Sequence, residues 1–136
     1  MKKILLCAST RPEMIKMAPL YLELKHRPAF NPLLLSTGQH KEMLYQVCET
    51  FGIQPDYDMQ IMKERQDLFD ITTAILSKAK ELLISIHPDL VLVHGDTTSS
   101  FVLSLSCFYL QIPVGHVEAG LRTYNLYSPY PEEYNR

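Results

Sequence analysis

Apolar residues along the chain fall into short unbroken runs, separated by stretches in which they recur every three or four positions. Lys3 to Ala8 is the first run and has the pattern of a strand buried on both faces. Ser9-Thr10-Arg11-Pro12-Glu13 interrupts it, and Met14, Met17, Ala18, Tyr21 and Leu24 then stand at helical spacing. Pro19 lies inside that pattern, so this helix is expected to kink there or to begin later than its periodicity. Leu33 to Ser36 predicts a second strand, closed by Thr37-Gly38-Gln39-His40. Lys41 to Phe51 reads as a helix stopped by Gly52. The segment from Ile53 to Met62 is irregular, with room for a short strand from Tyr57 to Ile61. The clearest helix follows: Asp67 is placed to cap it, Asp70 sits favourably in its first turn, Ile71, Ile75, Lys78/Ala79, Leu82 and Ile86 line one face, and His87-Pro88 ends it. Asp89 to His94 is the strongest strand signal. Gly95 to Thr98 turns the chain into a helix from about Ser99 to Leu110, and Ile112 to Glu118 predicts the last strand. Beyond Ala119-Gly120 the chain becomes polar and loses its period.

Buried strands alternating with helices imply right-handed crossovers and a parallel sheet, that is, a doubly wound α/β fold. The 136 residues are enough for one such domain, and they contain no internal repeat, low-complexity tract or linker. Lys plus Arg total 13 against 15 Asp plus Glu, a balance that argues against a nucleic-acid surface. No run of about 18 apolar residues predicts a membrane span. The basic-then-apolar start at Met1-Lys2-Lys3 is too short in its apolar part for a signal peptide and fits a buried first strand. Cys7, Cys48 and Cys107 are scattered, which reads as reduced thiols in a cytoplasmic protein and offers no paired zinc-ligand spacing.

In open parallel sheets, ligands sit beyond the carboxyl ends of the strands. Three polar clusters fall at such places: Ser9 to Glu13, His94 to Ser100, and Glu118 to Thr123. Thr10 and Arg11 at a helix start suit an anion, without the glycine pattern of a dinucleotide fingerprint; the same residues also fit a helix cap with a surface arginine. Gly95 allows close approach of backbone to a ligand. Asp96 suits a base or a sugar-hydroxyl contact, and equally the N-cap of the next helix. His94 taken alone fits a hydrogen-bonded structural histidine. Glu118 ends an apolar strand, where desolvation would raise a carboxyl pKa into the range of a general acid or base; the alternative is an ion pair with Arg122 that shapes the turn. Glu132 and Glu133 add carboxylates in the final segment, where they also fit an exposed acidic pair. Tyr124, Tyr127, Tyr130 and Tyr134 are dense enough there to stack on a base or sugar, or to pack against a further domain.

Several strings stand in order along the chain: Thr10-Arg11-Pro12-Glu13 with Ile15-Lys16-Met17-Ala18-Pro19, then Gln39-His40, Val91 to Thr98, Pro113 to Thr123, Tyr127-Ser128-Pro129, Pro131-Glu132-Glu133 and Asn135-Arg136. Together they resemble the non-hydrolysing UDP-N-acetylglucosamine 2-epimerases. The resemblance implies a Rossmann-like N-terminal domain over residues 1–136 of a glycosyltransferase-B-type, two-domain enzyme. The chain would then stop inside a site loop, with a C-terminal nucleotide-binding domain missing. It implies an isomerase of the cytoplasm, feeding surface polysaccharide synthesis. That enzyme would interconvert UDP-N-acetylglucosamine and UDP-N-acetylmannosamine by eliminating UDP to give 2-acetamidoglucal and adding it back, with no redox cofactor and no metal.

On this resemblance Asp96, Glu118 and Glu132 are the acidic catalytic residues, with acid and base left unassigned. Arg11 lies near the nucleotide, Lys16 adds positive charge, and His94, Arg122 and Arg136 join the substrate-binding set. Gln39, Glu42 and Arg65 match positions linked to activation by substrate at a neighbouring site, with Glu42 standing where some members carry Gln. Cys7-Ala8-Ser9 departs from a common Phe-Gly pair and bears on the geometry of the loop nearing the phosphates. A homodimer is implied for the full-length protein, and little turnover for these residues alone. A hydrolysing relative that releases UDP and free sugar, a non-catalytic nucleotide-sugar-binding module, and, by fold analogy alone, a glycosyltransferase are the competing readings.

Overall fold

The computed structural model describes residues 1–38, 41–61, 66–118, 122 and 124–135. Five strands and five helices follow in the order β1 (Lys2–Ala8), α1 (Arg11–Lys25), β2 (Phe30–Ser36), α2 (Lys41–Phe51), β3 (Tyr57–Asp58), α3 (Leu68–Ile86), β4 (Leu90–His94), α4 (Thr98–Tyr109), β5 (Val114–Val117) and α5 (Glu132–Asn135). All strand pairs are parallel, and the sheet order is β3-β2-β1-β4-β5. From β1 the chain winds outward through β2 and β3, then crosses back over β1 to lay down β4 and β5. The reversal point therefore lies between β1 and β4, where Leu5 pairs with Val91. The doubly wound sheet expected from the sequence is the observed one.

Central strand β1 explains why its pattern is an unbroken apolar run rather than an alternation. Leu5 and Cys7 pack into a core with α3 and α4 on one face, and Leu6 and Ala8 into a second core with α1 and α2 on the other. Both faces of the sheet are covered by helices, so every side chain of the strand from Ile4 to Ala8 loses water. Leu5 and Leu6 are each fully inaccessible.

Helix α1 runs through Pro19 without ending. Pro19 forfeits the bond to the Ile15 carbonyl, but both residues lie on the exposed side, where water can take that acceptor. The third strand is only two residues long, shorter than the sequence suggested: a turn follows in which Gln60 holds positive φ and its N–H donates to Asp58 Oδ1 at 2.8 Å. Helix α3 begins as its sequence predicts. The Asp70 N–H donates to Asp67 Oδ1 at 2.8 Å, and the Asp67 N–H donates to Asp70 Oδ2 at 3.2 Å, a closed capping box. Asp67→Ala is expected to cost about 1 kcal/mol in chemical denaturation. The four-residue α5, after the period is lost, was not legible as a helix.

The three thiols are buried and unbridged. Burial pushes the Cys7, Cys48 and Cys107 thiols up, Cys107 to about 12, with Cys107 and Glu13 adding to the effect on Cys7. An unfolded chain ionises these thiols from about pH 9, whereas the folded chain keeps them protonated. Their contribution to stability is thus complete below pH 9 and lost as pH rises towards 12. Denaturation midpoints should fall between pH 9 and 11, and Cys107→Ala should flatten that fall.

Candidate active site

Because the strands are parallel, their carboxyl ends lie on one rim, and the sequence clusters follow those ends directly: Ser9 after β1, Gly95 after β4, Glu118 after β5. They meet at the reversal point. A cleft of about 250 Å³ there is lined by Thr10, Pro12, Glu13, His94, Gly95, Asp96, Thr97 and Glu118. A neighbouring cleft of about 230 Å³ shares Thr10 and Thr97 with it and is bounded on its far side by Pro131, Glu132 and Asn135. Asp96 and Glu118 therefore face one space, and Glu132 faces the space beside it.

Two backbone conformations shape the β4 and β5 corners. Gly95 has φ +71°, and a Cβ there would meet nothing within 4 Å, so glycine is required by the backbone conformation and not by crowding. Glu118 has φ +61° with a full side chain, a conformation that costs on the order of 1 kcal/mol or more and persists only when its surroundings impose it. From this conformation Glu118 Oε2 lies 2.9 Å from His94 Nε2. His94 is 6% exposed, and its Nδ1 has no partner among the described residues. His116, whose Nε2 bonds the Gly95 carbonyl oxygen, fixes the same corner.

The Glu118 side chain retains 55% of its exposure, so the carboxylate is only partly withdrawn from water. The residue belongs to the turn leaving edge strand β5, which has β4 on one side only. Nor does Glu118 pair with Arg122. Arg122 Nε donates to Glu133 Oε1 at 2.9 Å, and the Tyr124 N–H donates to the same oxygen at 3.0 Å. Glu133, expected as half of an exposed acidic pair, is 1% exposed and anchors the final segment. Asp96 is not the cap of α4 either. Thr97 takes that role, accepting from the Ser100 N–H, which leaves the aspartate outside the helix and beside the cleft. The Asn135 Nδ2–H donates to the Asp96 carbonyl oxygen at 2.9 Å, and Phe101 meets Tyr134 edge-on at 5.5 Å, which seats α5 and Glu132 against this loop.

Glu13 and Ser100 were not singled out by the sequence as individual site residues. Glu13 is 3% exposed; Ser9 Oγ donates to its Oε2 at 2.7 Å and Thr10 Oγ1 donates to the same oxygen at 2.6 Å. Ser100 Oγ lies 3.3 Å from Glu13 Oε1 and donates to the His94 carbonyl oxygen at 2.6 Å. This network staples the loop after β1 to the start of α4. Its signal was the Thr10-x-x-Glu13 spacing of a capping box. The box stays open because the Thr10 hydroxyl turns to the carboxylate and leaves the helix N–H groups uncapped.

Arg11 and Lys16 are exposed on the first turns of α1 and line neither cleft. Glu42 lies elsewhere, on α2, in a hollow of about 690 Å³ shared with Tyr45 and Glu49. Gln39, Arg65 and Arg136 lie outside the described residues. Among the described residues no group of three or more His, Cys, Asp and Glu side chains is arranged to hold a metal ion, and no helix is long and apolar enough to cross a membrane.

Residues 22–136 match the family model described as UDP-N-acetylglucosamine 2-epimerase. The UDP-N-acetylglucosamine 2-epimerase of Bacillus subtilis (strain 168) is 58% identical over 134 residues, covering 98% of this chain and 35% of that protein. The Escherichia coli (strain K12) enzyme of the same name is 55% identical over 134 residues, covering 98% and 36%. Among solved structures, the Neisseria meningitidis UDP-GlcNAc 2-epimerase bound to UDP-GlcNAc superposes with a TM-score of 0.95 at 56% identity, covering 98% of this chain and 36% of that one. The Methanocaldococcus jannaschii enzyme in complex with UDP-GlcNAc and UDP gives 0.89 at 31% identity, covering 100% and 37%. The chain thus spans about a third of the length of these relatives.

Proposed function

This chain belongs to the UDP-N-acetylglucosamine 2-epimerase family, and from that premise we propose that it supplies the N-terminal wall of a non-hydrolysing epimerase site acting on UDP-N-acetylglucosamine. The opposite wall, which holds most of the uridine and diphosphate, comes from a second, C-terminal domain. The enzyme is an isomerase of the cytoplasm.

The chemistry sets three demands. The proton on C2 of the sugar is weakly acidic, so its removal requires a placed base and concerted departure of UDP. As the base takes that proton, the C2–H electrons form a C1=C2 double bond, the C1–O bond breaks, and its electrons leave with UDP, giving 2-acetamidoglucal. Return of UDP to C1 with delivery of a proton to the other face of C2 inverts that centre. Two faces need two proton-handling groups, and the leaving diphosphate needs positive charge.

The observation that carries the reading is the shared cleft. Asp96 and Glu118 come from the ends of different strands yet line one space, and Glu132 stands in the adjoining one. His94, bonded to Glu118, orients that carboxylate at the rim of the cleft. Arg11 and Lys16, free of the cleft lining at the start of α1, are available to the diphosphate. His94 and Arg122 support the two loops, and Arg136 completes the binding set. By family resemblance, Gln39, Glu42 and Arg65 are assigned to activation by a second substrate molecule.

The test is a chimera in which this chain replaces the matching third of the Bacillus subtilis relative, incubated with UDP-N-acetylglucosamine. UDP-N-acetylmannosamine is the expected product. Free N-acetylmannosamine with UDP would assign the hydrolysing reaction instead, and binding without either product would leave a nucleotide-sugar-binding module.

A further inference from the structure

Glu13, Asp96 and Glu118 all line the cleft at the reversal point, yet the proposed elimination employs only the last two. Glu13 is 3% exposed, and no cation pairs with it among the described residues. A buried carboxylate without a counter-ion is costly and persists only where hydrogen bonds hold it. Its partners here are hydroxyls. Ser9 and Thr10 donate to Oε2 at 2.7 and 2.6 Å, and Ser100, 87 residues further along the chain, reaches Oε1 at 3.3 Å. The arrangement does not serve helix α1, whose N-terminus gains no side-chain cap from it. What it joins is the two banks of the cleft. The β1–β4 ladder stops at Leu6 with Leu92, two residues short of the end of either strand. Beyond that point the Glu13–Ser100 contact spans the gap. Ser100 Oγ also donates to the His94 carbonyl oxygen at 2.6 Å and lies 3.1 Å from Thr97 Oγ1. His94 in turn carries Glu118 on its ring and precedes Gly95-Asp96 in the chain.

We propose that Glu13 is a positioning residue for the epimerisation, a role that rests on the epimerase reading. Through the Ser100 bridge it sets the separation between the bank that bears Thr10 and the bank that bears Asp96 and Glu118. Proton-handling groups act on a carbon only from near-contact distance, and a displacement of about 1 Å costs on the order of 100-fold in rate. Shape and hydrogen bonding, not charge, are what this role asks of the side chain. An amide meets both demands. Its oxygen takes the place of Oε2 and accepts from Ser9 and Thr10. Its N–H donates to the Ser100 oxygen, whose own hydrogen stays on the His94 carbonyl. A carboxylate that carried the reaction's proton would not survive that exchange.

The chimera with the Bacillus subtilis relative tests it. Glu13→Ala should lower kcat at least about 30-fold with KM within about fivefold. Ser100→Ala leaves Glu13 and its other two hydroxyls in place, so it keeps the test open where Glu13→Ala fails to fold. It should lower kcat at least about tenfold. Glu13→Gln should recover kcat to within about fivefold of wild type, with both limbs of the pH–rate profile where wild type has them. An amide variant as slow as the alanine variant, with a limb displaced, would make Glu13 a proton carrier and overturns the proposal. So does wild-type kcat in Glu13→Ala or in Ser100→Ala. Hydrogen exchange of the same proteins reads the bridge without catalysis: Ser100→Ala should speed exchange at least about tenfold in residues 10–14 and 95–99 alike. Unchanged exchange in both segments overturns the proposal. A wild-type chimera without turnover sinks the epimerase reading instead, and the exchange result then decides whether Glu13 and Ser100 join the two banks.

Discussion

Asp96→Asn and Glu118→Gln, each placed in the chimera with the Bacillus subtilis relative, should lower turnover at least about 1,000-fold while KM changes by less than about fivefold. Placed general acids and bases contribute roughly 10² to 10⁴ each, and in the proposed mechanism the elimination and the re-addition both pass through these groups. Both variants keep the shape of the side chain and remove its negative charge and its ability to carry a proton. Neither carboxylate is buried in the core: Asp96 lies outside α4, whose cap is Thr97, and the Glu118 side chain is more than half exposed. Melting temperatures should therefore stay near wild type, and the loss should fall on kcat. Wild-type turnover in either variant would remove that residue from the chemistry.

The largest effect on stability is expected at the central strand. Leu5 and Leu6 are adjacent in sequence and both fully buried, yet they belong to the two cores on opposite faces of the sheet. Leu5→Ala and Leu6→Ala should each cost about 2–5 kcal/mol in urea denaturation, through lost burial and the cavity left behind. The side chains share no neighbours across the sheet, so the costs should add. A domain of this size has about 5–15 kcal/mol in total, so the double variant should be largely unfolded at 25 °C. A small effect at either position would mean that one face of β1 is not a core, contrary to the doubly wound arrangement.

The sequence made the architecture legible because unbroken apolar runs and helical periodicity report burial, and burial is what a two-faced sheet imposes. Asp67 and Asp70 marked the start of α3 because capping is local chemistry. The candidate site was legible as clusters beyond strand ends. What local pattern could not supply was pairing. Glu118 with His94 and Arg122 with Glu133 are contacts between segments 24 and 11 residues apart, and each displaced the nearer Glu118–Arg122 pair that sequence spacing suggested. Burial of Glu133 was hidden for the same reason, since its neighbours are brought by the fold. Glu13 shows the converse: its capping-box spacing was present, but the Thr10 hydroxyl that would have closed the box serves the carboxylate network instead.

Proton exchange at one carbon tests the central claim most directly. The chimera, incubated with UDP-N-acetylglucosamine in D2O, should return both epimers carrying deuterium at C2, with Asp96→Asn and Glu118→Gln each suppressing that exchange. Formation of UDP-N-acetylmannosamine whose C2 retains the substrate's own hydrogen would contradict the account.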